Sequence, residues 1–308
     1  MILYLIPILV FFRLKGAFAV ALTLAATGAP ALARPMPEQN MGTSLLQRED
    51  LAYRFTTLAL DSADGKRHYQ LWIGTPQRPA PATGYPVLWM LDGNAAIGVL
   101  DAALLDQLAE GQAPLLVAVG YQTAQRIERS ARTYDYTPTL PGLDEQFDPL
   151  TGQPSGGVQP FFDLLSQRMR PIVAKVAPID VNRQTLWGHS YGGLAVLHAL
   201  FTRPGEFSTY AAASPSLWWH DGAIVHEAKG LQQRLGEARP NLLLMRGGDE
   251  PASPRAAVKG DVERPARELT AELAKVQGLQ VRFERFDGLG HGPMLPASLR
   301  RVIETMSK

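Results

Sequence analysis

Cysteine is absent from the 308-residue chain. That absence excludes structural disulfides, thiolate metal sites and a cysteine nucleophile. Net charge is almost absent too: 30 Lys and Arg face 29 Asp and Glu, a formal +1 at pH 7, with no Lys/Arg run. A nucleic-acid partner needs a basic footprint, so no nucleic acid is expected. Histidine is limited to six residues, His68, His189, His198, His220, His226 and His291, and no two stand in H-x-x-x-H spacing. No metal site is therefore expected. The G-x-x-x-x-G-K-[ST] loop that cradles nucleotide phosphates is missing as well, which leaves chemistry carried by side chains with no cofactor.

What is present starts with a targeting pattern. Arg13 and Lys15 supply positive charge, residues 17–29 an apolar run, and Ala31-Leu32-Ala33 an A-x-A cleavage site. Residues 1–33 are thus expected to be a signal peptide, cleaved after Ala33 on export to the periplasm, with no stable membrane insertion afterwards. A further apolar stretch, 2–12, precedes the charges; it reads either as sequence upstream of the true start or as an anchor. Residues 34–50 are polar, hold Pro35 and Pro37, and read as a linker to one domain over 51–308.

Within that domain, 54–61 and 68–75 read as strands joined by the Asp64-Gly65 turn, an antiparallel hairpin at a sheet edge. The nearly unbroken apolar run at 85–91 has the pattern of a strand covered on both faces, as has 113–119. Helical spacing at 97–109, 158–176, 194–201, 223–235, 262–276 and 294–306 alternates with strands at 181–186, 210–213, 241–246 and 279–286. Alternation of this kind predicts a mostly parallel sheet with helices on both faces. Residues 121–157 form a long polar and aromatic excursion, expected to serve function or to lack structure.

The chemistry gathers around Leu186-Trp187-Gly188-His189-Ser190-Tyr191-Gly192-Gly193, a G-x-S-x-G sequence between a predicted strand and a predicted helix. This is the pattern of a nucleophile elbow, which presents Ser190 at a strand tip in the α/β-hydrolase fold. Serine needs an adjacent base, and in this fold the acid and then the histidine follow the nucleophile along the chain. His291 stands after the last predicted strand, where that order requires it. Gly247-Gly248-Asp249-Glu250 follows the strand that would supply the acid, so Glu250 or Asp249 is the candidate, with Asp287 a third. The backbone N–H of Tyr191 is the expected first oxyanion donor, and Gly93 or Asn94, in the turn after 85–91, the second.

Several stretches together resemble the esterase D branch of the α/β-hydrolases, and within it the periplasmic trilactone-siderophore esterases acting on enterobactin and its glucosylated relatives. The matching pieces are Val87-Leu88-Trp89-Met90-Leu91-Asp92-Gly93-Asn94, Val117-Ala118-Val119-Gly120-Tyr121, Arg132-Thr133-Tyr134-Asp135-Tyr136-Thr137-Pro138, the elbow through Phe207, and Ala213-Ser214-Pro215-Ser216-Leu217-Trp218-Trp219. The resemblance implies nucleophile Ser190, base His291, an oxyanion hole from Gly93 and Tyr191, and Glu250 as the acid, although some members look like Ser–His dyads. It also implies a small-molecule substrate, a ferric catecholate siderophore whose backbone is cut to release iron.

A ferric tris-catecholate is anionic and aromatic, and asks for cations and flat apolar surfaces. Arg126, Arg129 and Arg132 with Tyr134 are candidates for the first, Trp218 and Trp219 for the second. The competing functions are a general exported carboxylesterase or acyl thioesterase, and a non-catalytic siderophore-binding protein on a hydrolase scaffold. A monomer is the default expectation.

Overall fold

The computed structural model describes residues 39–143, 145–255 and 261–307. The predicted leader and its cleavage site lie outside them. Of the predicted linker, residues 39–50 are described, and they are mostly exposed, with two points of contact to the domain. Asn40 bridges to Gln125, a 3₁₀ turn spans Ser44–Gln47, and Leu45 is buried in the core.

Alternating side chains and the Asp64-Gly65 turn give the expected hairpin, β1 (Tyr53–Asp61) paired antiparallel with β2 (His68–Pro76). The apolar run that follows becomes β3 (Tyr85–Met90), all six residues buried. Its period-2 side chains divide between two cores: Val87, Trp89 and Leu91 face one, Leu88 and Met90 the other. Burying each such side chain stabilises the fold by roughly 1.5–3 kcal/mol.

The helix predicted at 97–109 is instead two, α1 (Gly93–Ile97) and α2 (Ala102–Glu110). Asp101 explains the break, because its carboxylate accepts from Leu104 N–H at 2.9 Å and caps a new helix start. After β4 (Leu115–Tyr121), the excursion contains a helix that spacing did not predict, α3 (Arg129–Asp135), capped by the Glu128 carboxylate on Ala131 N–H. The segment at 158–176 runs as α4 (Val158–Leu164), a π turn at Leu165–Met169, and α5 (Arg170–Val176). Pro171 lacks an N–H and would crowd the carbonyl four residues back, which the widened turn relieves.

Next come β5 (Ile179–His189), α6 (Tyr191–Thr202) and β6 (Thr209–Ala213). The amphipathic stretch at 223–235 breaks at Gly230, φ +76°, into α7 (Ala223–Glu227) and α8 (Leu231–Leu235). The chain closes with β7 (Asn241–Gly247), α9 (Arg264–Leu273), β8 (Gln280–Phe286) and α10 (His291–Met306).

The eight strands form one sheet in the order β1-β2-β4-β3-β5-β6-β7-β8, antiparallel in its first two pairings and parallel in the rest. This is the α/β-hydrolase fold. From β3 the chain passes to β4 on one side and returns to β5 on the other, so the carboxyl ends of β3 and β5 flank a switch point where a crevice opens. Helix α6 fills the space beneath it and is buried on every face from Tyr191 to Phe201.

Candidate active site

Ser190 sits in the turn between β5 and α6 with φ 61° and ψ −116°. A backbone of this kind costs of order 1–3 kcal/mol and persists only where its surroundings dictate it. Here its N–H donates to the Ala213 carbonyl at 2.9 Å, and its own carbonyl accepts from Leu194 at 2.9 Å. The turn is tight enough that a Cβ on Gly188 would stand 2.4 Å from the Gly192 carbonyl oxygen. Strand and helix can meet this closely only with glycine there.

His291 opens α10, and its Nε2 lies 3.0 Å from Ser190 Oγ. Its Nδ1 lies 3.0 Å from Glu250 Oε2. Of the two sequence candidates for the acid, Glu250 is 1% exposed and makes this contact, whereas Asp249 is exposed. Asp287, the third, is exposed and paired with Arg285. Glu250 also accepts from Gly247 N–H at 2.7 Å and from the Ser214 hydroxyl, with Arg246 Nη1 3.7 Å away. Burial pushes its carboxyl up, but the bonds from His291 and Ser214 and the charges of His291 and Arg246 outweigh burial. The net displacement is below the usual carboxylate range.

Two residues that spacing left unassigned support this row. Ser214 follows β6 with φ +43° and donates its N–H to the Met245 carbonyl at 2.7 Å, aiming its hydroxyl at Glu250. His189, the variable residue of the elbow, is buried, and its Nε2–H donates to the His291 carbonyl at 2.9 Å, the two rings 4.6 Å apart. Burial first, then the charges of His291, Arg132 and Arg126, hold His189 well below the usual histidine range. It is a neutral donor that fixes the backbone of His291.

Among the described residues, the backbone N–H groups of Tyr191 and Gly93 have no acceptor. The expected turn at Asp92-Gly93-Asn94 is the start of α1, with Asp92 in the left-handed region at φ 51°. It lies against the elbow: a Cβ on Gly192 would be 3.5 Å from both Asp92 Oδ2 and Leu91 Cβ. A side chain at Gly93 itself would strike the β4 backbone, 2.6 Å from the Val119 carbonyl carbon. Asn94 spends its side chain on β4 and the loop after it, donating to the Tyr121 and Thr123 carbonyls at 3.0 Å and accepting from Tyr121 N–H at 2.8 Å.

The cations and aromatics proposed for a ligand are not equivalent in place. Arg132 is already engaged: Nε and Nη2 reach the two oxygens of Asp92 at 2.7 and 2.9 Å, and its side chain is 13% exposed. Only its Nε–Nη2 edge faces Asp92, so a ligand could meet Arg132 at its Nη1 side alone. Trp219 is corrected as a ligand surface, since it is fully buried and its indole N–H donates to Asp148 at 3.0 Å. Trp218 is half-buried, its ring 6.1 Å from that of Tyr191. Arg126 is half-buried and near enough to His189 for its charge to act there, while Arg129 is exposed at the start of α3. Tyr134 lies under the Arg67 guanidinium, 4.6 Å from ring to Cζ.

The excursion itself is pinned by Asp148, which spacing did not single out. Its buried carboxylate accepts the Tyr191 hydroxyl at 2.6 Å, the Trp219 indole, and the N–H and hydroxyl of Thr151 at 2.7 Å. Asp135 is likewise buried, taking hydroxyls from Tyr69 and Tyr121 and facing Arg67 Nε at 3.1 Å. Burial pushes its carboxyl up to about 7 against those donors. Among the described residues no group of three or more His, Asp and Glu side chains is arranged to hold a metal ion. The arrangement can generate a serine nucleophile and stabilise an oxyanion beside it.

The comparisons agree with that chemistry. The family model for esterases matches residues 62–290. Apo-salmochelin esterase of Escherichia coli O6:H1 is 37% identical over 274 residues, 87% of this chain and 83% of its own length. Ferri-bacillibactin esterase BesA of Bacillus subtilis is 33% identical over 258 residues, 79% and 86% of the two chains. A solved structure of the enterobactin hydrolase IroE in complex with DFP aligns with a TM-score of 0.71 at 36% identity, covering 85% of this chain and 98% of that one. The chain belongs to the esterase family, as a serine esterase on the α/β-hydrolase fold.

Proposed function

We propose that this esterase opens the trilactone backbone of a ferric or iron-free catecholate siderophore, with Ser190 as nucleophile, His291 as general base and acid, and Glu250 as the orienting carboxylate. The observation that carries the reading is the row Ser190 Oγ, His291 Nε2 and Nδ1, Glu250 Oε2, joined by two contacts of 3.0 Å beside two N–H groups without acceptors. Glu250 keeps the proton of neutral His291 on Nδ1, leaving Nε2 free to accept. As Ser190 Oγ bonds to a lactone carbonyl carbon, its proton passes to Nε2 and the carbonyl electron pair moves to oxygen. The N–H groups of Gly93 and Tyr191 are the donors for that oxyanion.

Collapse of the tetrahedral species breaks the C–O bond to the ring alkoxy oxygen, which takes the proton from His291 and leaves Ser190 acylated. Water then repeats the sequence, returning a free carboxylic acid and the serine hydroxyl. Opening the trilactone loosens the ligand around its iron. Support for the substrate comes from the names of the relatives, which cover both an apo- and a ferri-siderophore esterase. Trp218, Arg126, Arg129 and the Nη1 side of Arg132 are the candidates for contact with an aromatic anion. In this reading the enzyme acts as a monomer in the periplasm, after loss of residues 1–33.

The test is chromatography of ferric and iron-free enterobactin after incubation with wild type and Ser190→Ala. Wild type is expected to give linear products that Ser190→Ala does not. Wild type that cleaves simple esters while leaving both trilactones whole would overturn the substrate.

A further inference from the structure

Arg246, the last residue but one of β7, is 7% exposed, and its guanidinium turns forward over the exit of its own strand. Nη2 donates to the carbonyls of Glu250 and Pro251 at 3.1 and 2.8 Å, while Nη1 lies 3.7 Å from Glu250 Oε2. Its buried Nε has no hydrogen-bond partner among the described residues. A buried ion pair adds little stability at best, and an unpaired N–H subtracts from it. The placement points to a task other than stability. Two further bonds tie the same exit down. Gly248 N–H donates to the Phe286 carbonyl at 2.8 Å and Asp249 N–H to the Leu289 carbonyl at 3.1 Å, so the loop after β7 lies on the loop that brings His291. Those bonds fix the backbone as far as Asp249. Which carboxylate turns back to the base is then set at Glu250 and Pro251, where Arg246 holds both carbonyls.

We propose that Arg246 is a positioning residue for the reaction: by clamping the two carbonyls at the exit of β7 it turns Glu250, rather than Asp249, toward His291. It acts through Glu250 and not on the ester. The proposal rests on Glu250 as the orienting acid, but not on the siderophore. The cation lies on the side of Oε2, the oxygen that faces His291, while the Ser214 hydroxyl and Gly247 N–H serve Oε1. Burial pushes the Glu250 carboxyl up, and His291 from α10, Ser214 after β6 and Arg246 from β7 together hold it below the usual range. Without Arg246 the carboxyl keeps its proton to higher pH, and a protonated acid gives the imidazolium of His291 no counter-charge.

The experiment is steady-state hydrolysis of a neutral ester, p-nitrophenyl butyrate, between about pH 5 and 9, with folding checked by circular dichroism. For Arg246→Met, kcat should fall about 10²-fold with KM within about threefold of wild type, as for a reacting group misplaced by about 1 Å. The acid limb of kcat/KM should move to higher pH by about half a unit or more, so the loss is larger at the acid end than at the alkaline end. In a Glu250→Ala background the same substitution should cost less than about twofold, because the residue it acts through is gone.

Arg246→Lys keeps a cation, but its single nitrogen cannot stand both at the carbonyls and beside Oε2 as the two Nη atoms do. It should fold, lose about fivefold in kcat and keep the wild-type acid limb, and it carries the decision where Arg246→Met does not fold. Wild-type kcat in Arg246→Lys would overturn the proposal. So would an even loss at every pH in Arg246→Met, or a loss of the same factor with Glu250 and without it. A fully active Glu250→Ala would sink the acid and this proposal with it, whereas an impaired Glu250→Ala beside an unimpaired Arg246→Met sinks the proposal alone.

Discussion

Replacing Glu250 by Gln tests the least obvious member of the hydrogen-bonded row, and the structure sets the size of the effect. The carboxylate is 1% exposed and accepts from His291 Nδ1 at 3.0 Å, Gly247 N–H at 2.7 Å and the Ser214 hydroxyl. Gly247 and Ser214 both use Oε1, so the amide oxygen of Gln takes that place and its NH₂ faces His291. An NH₂ can only donate there. Nδ1 must then become the acceptor and the ring proton moves to Nε2, opposite Ser190, where it blocks proton removal. Inverting the tautomer in this way costs about 10⁴ in kcat, or about 5.5 kcal/mol of transition-state stabilisation.

Glu250→Ala leaves the imidazole free to choose, so Gln should be at least as damaging as Ala although it is the closer isostere. A Ser–His dyad predicts the reverse, near-wild-type rates in both. The assay is steady-state hydrolysis of p-nitrophenyl butyrate, with folding checked by circular dichroism. Retention of more than a tenth of wild-type kcat in Glu250→Gln would refute the reasoning. Asp249→Ala, at an exposed position, should stay within twofold of wild type, about the scatter expected for a surface substitution.

His189 gives a pH prediction whose sign follows from its depressed affinity for protons. In the unfolded chain this imidazole takes its proton at the ordinary histidine value of about 6.5 while in the folded chain it does not, so its contribution to stability is full above that pH and is lost as pH falls below it. Thermal melts of wild type and His189→Gln between pH 5 and 8 should diverge at the alkaline end and converge at the acid end, by up to about 1.4 kcal/mol per pH unit. Parallel curves would contradict a buried neutral imidazole. Asp148→Ala strands the Tyr191 hydroxyl and the Trp219 indole in a buried site, and should lower stability by about 2–4 kcal/mol. Limited proteolysis should then cut within 138–157 in the variant before wild type, and equal resistance would argue against Asp148 as the anchor of that segment.

Much of the architecture is written in local pattern. The apolar run of β3 and the alternation of β5 to β8 with their helices depend on nearest-neighbour periodicity, and the sheet follows from them. Helix breaks are less legible: Asp101 and Gly230 interrupt runs whose apolar spacing continues across them. Within the site, Ser190 and His291 are marked by chain order and flanking glycines. The contact of Glu250, rather than its neighbour Asp249, with His291 depends on how the chain leaves β7, which spacing does not encode. Arg132 and Trp219 show the same limit from the other side. Their residue types suit an anionic aromatic ligand, but Asp92 and Asp148, distant in sequence, take one edge of the guanidinium and the indole N–H.

The row from Ser190 to Glu250 draws on the tips of β5, β6 and β7, with His291 supplied from beyond β8. Neighbouring parallel strands that slip by two residues keep every side chain on its proper face and keep their hydrogen-bond count, yet shift by roughly 6.6 Å. Such a slip between β6 and β7 would carry Ser214 away from Glu250 while leaving helix content and compactness untouched. Recovery of esterase activity on refolding is therefore a register gauge for this half of the sheet, sensitive to an error that circular dichroism passes over.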